Sequence, residues 1–69
     1  MYRLRDLRED KDLSQETLAA CLHVSQATYS RYESGVLDIP TAALITLAKY
    51  YRTSVDYLLG LTDNPDPYR

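Results

Sequence analysis

Cysteine occurs once in the 69 residues, as Cys21, and tryptophan and phenylalanine do not occur at all. A single thiol cannot close a disulfide within the chain, so the covalent staple of small secreted domains is excluded and packing must hold the core. Gly occurs twice and Pro three times, with no internal repeat and no low-complexity stretch. No apolar run reaches the roughly 18 residues a membrane span needs. No cationic start leads into an apolar stretch and a cleavage site, and there is no polybasic tail. The expectation is a soluble, intracellular chain with no membrane partner. At this length folding buries only about 60% of the surface of the unfolded chain, too little to build both a core and a deep substrate cleft. A P-loop, a nucleophile elbow and paired acids are all missing, so no enzyme, cofactor or small-molecule ligand is expected.

Positive charge is also scarce. Lys and Arg number 8 against 10 Asp and Glu, a formal net charge of -2, with a pI near 5.1. The overall balance therefore lacks the basic footprint of a nucleic-acid binder. The excess is local, however: residues 1–52 carry seven basic and seven acidic side chains, and residues 53–69 carry one Arg and three Asp.

No stretch alternates apolar and polar residues as a half-buried strand does, and the periodicity is helical throughout. A first helix from Tyr2 to Lys11 turns Leu4 and Leu7 inward and ends where Asp12 takes a left-handed cap. Ser14 caps a second helix to about Leu22, with Glu16 in its first turn and Leu18, Ala19 and Leu22 on its apolar face. His23 and Val24 form a short turn before Ser25 caps a third helix that runs to Ser34 and stops at Gly35. After the loop Val36 to Pro40, Thr41 caps a fourth helix through Tyr51, with Leu44, Leu47, Ala48 and Tyr51 at helical spacing. Ser54 caps a short fifth helix that buries Val55, Leu58 and Leu59 and ends at Gly60. The reading is an all-α, five-helix bundle over residues 1–61 containing a tight helix-turn-helix, with residues 62–69 a C-terminal turn and frayed tail and Tyr68 disordered.

On the third helix Tyr29 and Tyr32 share one face, and Gln26, Ala27, Ser30 and Arg31 share the other. That outer face is small, polar and nearly uncharged, as a helix entering the major groove requires. Gln pairs bidentately with adenine, Arg with guanine, and an Ala methyl lies against a thymine methyl. Free backbone N–H groups at the starts of the second and third helices, beside Gln15, Ser25 and Thr28, suit a backbone phosphate. Periodicity alone leaves open whether Ser14 and Ser25 are only caps and Gln26 and Arg31 only solvated.

The stretch Leu13-Ser14-Gln15-Glu16-Thr17-Leu18-Ala19 followed by Val24-Ser25-Gln26-Ala27-Thr28-Tyr29-Ser30-Arg31-Tyr32-Glu33-Ser34-Gly35 resembles the Cro and phage-repressor helix-turn-helix family, the XRE type. Thr46-Leu47-Ala48-Lys49-Tyr50-Tyr51 and Ser54-Val55-Asp56-Tyr57-Leu58-Leu59 are similar to its fourth and fifth helices, so the resemblance covers about residues 3 to 61. It implies a lambda repressor-like domain whose third helix reads double-stranded DNA, usually as a homodimer on a palindromic operator. Gln26, Ala27, Ser30 and Arg31 would then face bases, while Gln15, Ser25 and Thr28 would hold phosphates. Arg8 and Glu33 occupy positions where the family often has an ion pair, and such a pair can also serve only to fix the first helix against the third.

His23, Asp12 and Arg52 stand where the family frequently has Gly, a substitution that a left-handed backbone tolerates at modest cost. Val36-Leu37-Asp38 follows Gly35 where relatives often carry cations. With few phosphate contacts, one isolated site should bind weakly and with a shallow salt slope. Dimerisation would then matter more. Tyr57 and Leu61, with Val36 and Leu37, are apolar groups that a symmetric dimer would bury, placing two recognition helices about 34 Å apart. The alternative is that Tyr57 and Leu61 cap the monomer core.

The seven Tyr fall mostly on helical faces that already carry core leucines, so they read as packing residues with hydroxyls reaching water rather than as stacking platforms. Cys21 reads as a small half-buried residue, and with His23 as the lone His no metal site is expected. The function expected is a sequence-specific DNA-binding transcriptional repressor. The alternatives are a protein-interaction module of antitoxin or anti-repressor type on the same fold, or the DNA-binding domain of a longer regulator.

Overall fold

The computed structural model of the chain describes residues 2–67. They fold into α1 (Leu4–Asp10), α2 (Gln15–Leu22), α3 (Gln26–Ser34), α4 (Thr41–Tyr51) and α5 (Val55–Leu58), with no strand among the described residues. Serine starts three of these helices by the same chemistry. In extended backbone, the Oγ of Ser14, Ser25 and Ser54 accepts the orphan N–H of Thr17, Thr28 and Tyr57 at 3.2, 3.1 and 3.1 Å, satisfying a donor that has no carbonyl inside the helix.

Two expected starts move. The first helix begins at Leu4 rather than Tyr2, with Arg3 as its N-cap, and the Arg3 N–H donates to the Leu58 carbonyl at 2.8 Å, tying the chain start to α5. Thr41 is the first residue of α4 rather than its cap, and Pro40 precedes it without a side-chain hydrogen bond.

The turns are tight. Asp12, His23 and Arg52 take φ of 54, 58 and 56°, the left-handed region, in company with Gly35 at 82° and Gly60 at 77°. The His23 conformation reverses the chain between α2 and α3 and lets its N–H return to the Ala19 and Ala20 carbonyls, as left-handed C-caps do.

Each helix contributes one side chain that is under 2% exposed: Leu4, Leu18, Tyr29, Leu47 and Leu58. Around them pack Ala19, Tyr32, Leu44 and Ala48, with α2 lying against both α3 and α4 and α4 against α5. Ile39, from the segment read as a loop, also enters the core at 8% exposure. A lone apolar residue between Asp38 and Pro40 carries no periodicity, so only packing reveals it.

The end of the described chain is held rather than frayed. The Thr53 hydroxyl, buried, donates to the Pro65 carbonyl at 2.6 Å, and Arg3 Nη2 donates to the Thr62 carbonyl at 3.3 Å and to Asp63 at 2.8 Å. Thr62 Oγ1 and Asn64 Oδ1 accept from the Asn64 and Asp66 N–H groups in two successive side-chain turns. The expectation for Tyr68 lies outside the described residues.

Left-handed backbone costs an ordinary residue about 1–2 kcal/mol, partly offset in a Gly substitution by about 0.4–1 kcal/mol of added unfolded-state entropy. His23→Gly is therefore expected to stabilise by roughly 0.5 kcal/mol and raise Tm by about 2–4 °C, measured by thermal denaturation followed by circular dichroism.

Candidate nucleic-acid interface

Helical geometry splits α3 into an anchoring side and a presenting side. Tyr29 and Tyr32 are 0% and 7% exposed, so the residues opposite them must face out. Gln26, Ala27 and Arg31 are exposed there and Ser30 is half-exposed. That face carries no carboxylate, and Arg31 makes no ion pair among the described residues.

The residues assigned to phosphates divide by the donors they have left. Ser25 Oγ donates to Thr28 Oγ1 at 3.0 Å while accepting the Thr28 N–H, so its only proton is used in capping. The Thr28 hydroxyl proton remains available. Gln15 Nε2 donates inward to Glu33 Oε1 at 3.2 Å, and its Oε1 accepts a long contact from Gln26 Nε2 at 3.5 Å. One Gln15 amide proton is thus left unspent, and the Gln26 carbonyl oxygen makes no hydrogen bond among the described residues.

Behind the face lies a charged pair. Arg8 Nε and Nη2 grip the two oxygens of Glu33 at 2.7 and 3.2 Å, while Arg8 Nη1 donates to the Leu13 carbonyl at 3.0 Å. The side chains are 14% and 5% exposed, so α1 is fixed against both α3 and the turn leading to α2. Burial alone pushes the Glu33 carboxyl up, yet Arg8, the nearby Tyr29 hydroxyl and Gln15 together hold it below the usual carboxylate range. The Glu33 hydrogen bonds in turn raise Arg8 against a smaller desolvation penalty.

Two hydroxyls depart from the sequence reading. Those of Tyr29 and Tyr51 are buried with no partner in hydrogen-bond geometry instead of reaching water. Burial, followed by the neighbouring Glu33 and Tyr51, raises the Tyr29 phenol, and burial pushes Tyr51 up to about 12. Tyr51 also meets Tyr50 edge to face at 5.4 Å.

The dimer candidates separate. Leu61 is 72% exposed, whereas Tyr57 is half-buried beneath the Arg3 guanidinium, 4.6 Å from its ring centroid. Val36 at 78%, Leu37 at 42% and Tyr2 at 43% are exposed. Tyr2 and Leu37 line one hollow, and the neighbouring Arg3 N–H on Leu58 brings Tyr2 toward α5. Exposed apolar groups thus stand at the chain start, in the loop after α3 and after α5.

A helix-turn-helix family model matches residues 4–58, which includes all five helices. The chain belongs to the helix-turn-helix family. Its relatives include the uncharacterised HTH-type transcriptional regulator YobD of Bacillus subtilis, 45% identical over 65 residues that make up 94% of this chain and 58% of the relative. The HTH-type transcriptional regulator AnsR of Bacillus subtilis is 40% identical over 84% of this chain and 50% of its own length. The cryptic phage CTXphi transcriptional repressor RstR of Vibrio cholerae is 35% identical over 84% of this chain and 52% of its own length. The chain spans about half the length of the curated relatives it matches. No solved structure gives a significant match.

This is the XRE type of helix-turn-helix, a family of DNA-binding transcriptional regulators and not of enzymes. Among the described residues no helix is long and apolar enough to cross a membrane, and no group of three or more His, Cys, Asp or Glu is placed to hold a metal ion. Cys21 is half-buried on α2.

Sequence reasoning missed Arg5 and Ser34, which border a polar recess shared with Arg8, Gln15, Ser30 and Glu33. The available signal was that Arg5 precedes Arg8 by three residues and so shares its helix face.

A depressed carboxyl pKa means that the unfolded chain binds more protons, so stability from Glu33 is present above about pH 4.3 and is lost as pH falls through the folded value. Glu33→Gln should cost roughly 3 kcal/mol at pH 7, because it leaves Arg8 without its anion. It should also flatten the acid limb of a stability–pH curve from urea denaturation between about pH 5 and 2. An equally steep limb in the variant would place the acid sensitivity elsewhere.

Proposed function

We propose that the chain is a sequence-specific double-stranded DNA-binding module of a transcriptional repressor, acting as a homodimer on a palindromic operator with α3 in the major groove. The observation that carries this reading is the presenting face of α3. Gln26, Ala27, Ser30 and Arg31 project from a helix whose other side is locked by Tyr29 and Tyr32, and neither long side chain is tied up by a carboxylate.

The Gln26 amide, leaning on Gln15, offers Oε1 and one N–H outward, the pair of groups that matches adenine N6 and N7. Arg31, without an ion pair, keeps its donor fork for guanine O6 and N7. Gln15 through its second amide proton, Thr28 through its hydroxyl and Ser25 through its position at the α3 start set the helix against backbone phosphates. The Arg8–Glu33 pair contributes no direct reading. It holds α1, α2 and α3 in one arrangement so that these groups keep their spacing.

The two-fold assembly rests on the exposed apolar residues. Leu61 with Tyr2, Val36 and Leu37 forms the centre of the proposed interface, and Tyr57, its ring covered by Arg3, forms its edge. Two recognition helices joined this way would sit about 34 Å apart, one turn of duplex.

A random-duplex selection with purified protein at about 50 mM salt tests the reading. The expected result is an inverted repeat with half-sites one turn apart, and no enrichment from folded protein would overturn it. Arg31→Ala is expected to cost roughly 1–3 kcal/mol and relax one base position. Gln15→Ala should weaken all duplexes and additionally blur the position facing Gln26, since it removes that amide's support.

For the assembly, Leu61→Glu is the variant to make, because the residue is 72% exposed and its loss leaves the core intact. Sedimentation should shift from dimer to monomer and cooperative operator binding should disappear with Tm nearly unchanged. Dimers that persist would move the interface off these residues.

A further inference from the structure

Residues 41–52 contain no carboxylate, in a chain whose formal net charge is -2. They form α4 and its left-handed cap, and none of them takes part in the proposed duplex contacts or in the two-fold assembly. Because Leu44, Leu47 and Ala48 are buried, the opposite side of the helix turns out, and Ala42, Ile45, Thr46, Lys49 and Tyr50 are exposed there. Helical spacing puts Ile45 at one edge of this face and Tyr50 at the other. Between them the Thr46 hydroxyl donates back to the Ala42 carbonyl at 3.0 Å, so the middle of the face offers no side-chain proton except those of Lys49.

Each edge sinks into a hollow with an apolar lining and a cation. Beside Ile45, α4 and α5 border about 360 Å³ lined by Ile45, Ala48, Val55 and Lys49. Beside Tyr50, the turn after α1 meets the end of α4 around about 350 Å³ lined by Leu13, Tyr50, Tyr51, Lys11 and Arg52. Lys11, Lys49 and Arg52 make no ion pair among the described residues. Asp56, on the α5 side, is the one carboxylate that borders either hollow, and Asp10 and Asp12, which flank Lys11 in sequence, border neither. The three cations stand at the ends of α1 and α4, where they suit the helix dipoles while their charged groups remain open to an anion. A nucleic-acid strand would meet the cations and leave the apolar linings unused. A segment that interleaves apolar and acidic side chains satisfies both. The chain holds such a stretch in part already: Pro67, which closes an extended run carrying Asp63 and Asp66, borders the hollow beside Lys49, and Thr53 in the same wall holds the Pro65 carbonyl.

We propose that the outer face of α4 docks an acidic, amphipathic segment of a partner protein, with apolar side chains entering the two hollows and carboxylates meeting Lys11, Lys49 and Arg52. No residue of α3 borders either hollow, so the proposal stands apart from the duplex-binding reading, and one molecule can hold a duplex and a partner together.

The test uses three synthetic helix-forming peptides: one of Glu, Leu and Ala with Leu at i, i+3, i+4 and i+7, a second with Lys in place of Glu, and a third with Ala in place of Leu. Binding is followed by fluorescence anisotropy and by backbone amide shifts in NMR spectra at about 50 mM salt. The Glu–Leu peptide should bind, with shifts concentrated at Lys11, Ile45, Lys49, Tyr50 and Arg52. Lys49→Glu combined with Arg52→Glu should weaken it about tenfold and make the Lys–Leu peptide the better ligand, a charge swap that misfolding cannot produce. Tyr50→Ala should weaken the Glu–Leu peptide about tenfold with Tm close to wild type. Adding a duplex should leave the peptide bound. No binding, or equal affinity for the Glu–Ala peptide, would overturn the proposal, the latter by showing that charge alone is read. Displacement by duplex with shifts at the same amides would make the face a nucleic-acid surface instead. Concentration-dependent shifts of those amides without peptide would assign it to a second copy of this chain, and either result would overturn the proposal.

Discussion

Glu33 is an acid placed almost out of reach of water at the last turn of α3, and the organisation around it keeps that acid charged. Arg8 reaches across from α1 to hold both of its oxygens, and Gln15 reaches from α2 to hold one of them. Three helices therefore converge on one carboxylate. A buried charge without its counterion is costly enough to consume much of the stability of so small a domain, which makes the relative placement of α1, α2 and α3 the condition for keeping Glu33 ionised. The relay continues outward, since the Gln15 amide that steadies Glu33 also touches Gln26. The Glu33 cluster and the Gln26 side chain are thus one connected arrangement.

A second constraint is shortness. The turns before α2, between α2 and α3, and after α4 contain Asp12, His23 and Arg52 in left-handed backbone, which a glycine would adopt with less strain. The chain accepts that cost because each of its five helices places one fully buried residue at a common centre, and the connections have no slack to relax without withdrawing one of them. The scarcity of charge is resolved in a similar way. Net charge describes the whole molecule, whereas affinity for a polyanion depends on which charges face it. Arg31 lies on the presenting side of α3, the Glu33 carboxylate behind it is neutralised, and the net negative excess is carried by residues 53–69, where Asp63 is paired with Arg3.

Much of this was legible in the chain. Serine followed after a short interval by helix-forming residues marks a start wherever the side chain can cap, and Ser14, Ser25 and Ser54 all behaved so. Thr41 did not, because Pro40 before it already holds extended backbone and takes the cap position. The faces of α3 followed from a spacing of three between Tyr29 and Tyr32. Less legible were contacts between residues far apart in sequence: Thr53 with Pro65, Arg3 with Tyr57 and Asp63, and Ile39 with the core. The hydroxyls of Tyr29 and Tyr51 belong with these, since amphipathic spacing says that a ring packs inward and says nothing of how far the oxygen follows.

The sequence by itself determined the five helices, the serine caps of α2, α3 and α5, the tight turn between α2 and α3 and the side of α3 that faces out, because each depends on residues within about four positions of one another and on the fixed period of the helix. Tertiary structure alone decided that Glu33 is shielded, that Arg8 reaches it from α1, and that the Gln15 amide is shared between an inward carboxylate and the Gln26 side chain. Those outcomes depend on how three helices pack and on which donors packing leaves unspent, and no local spacing encodes either.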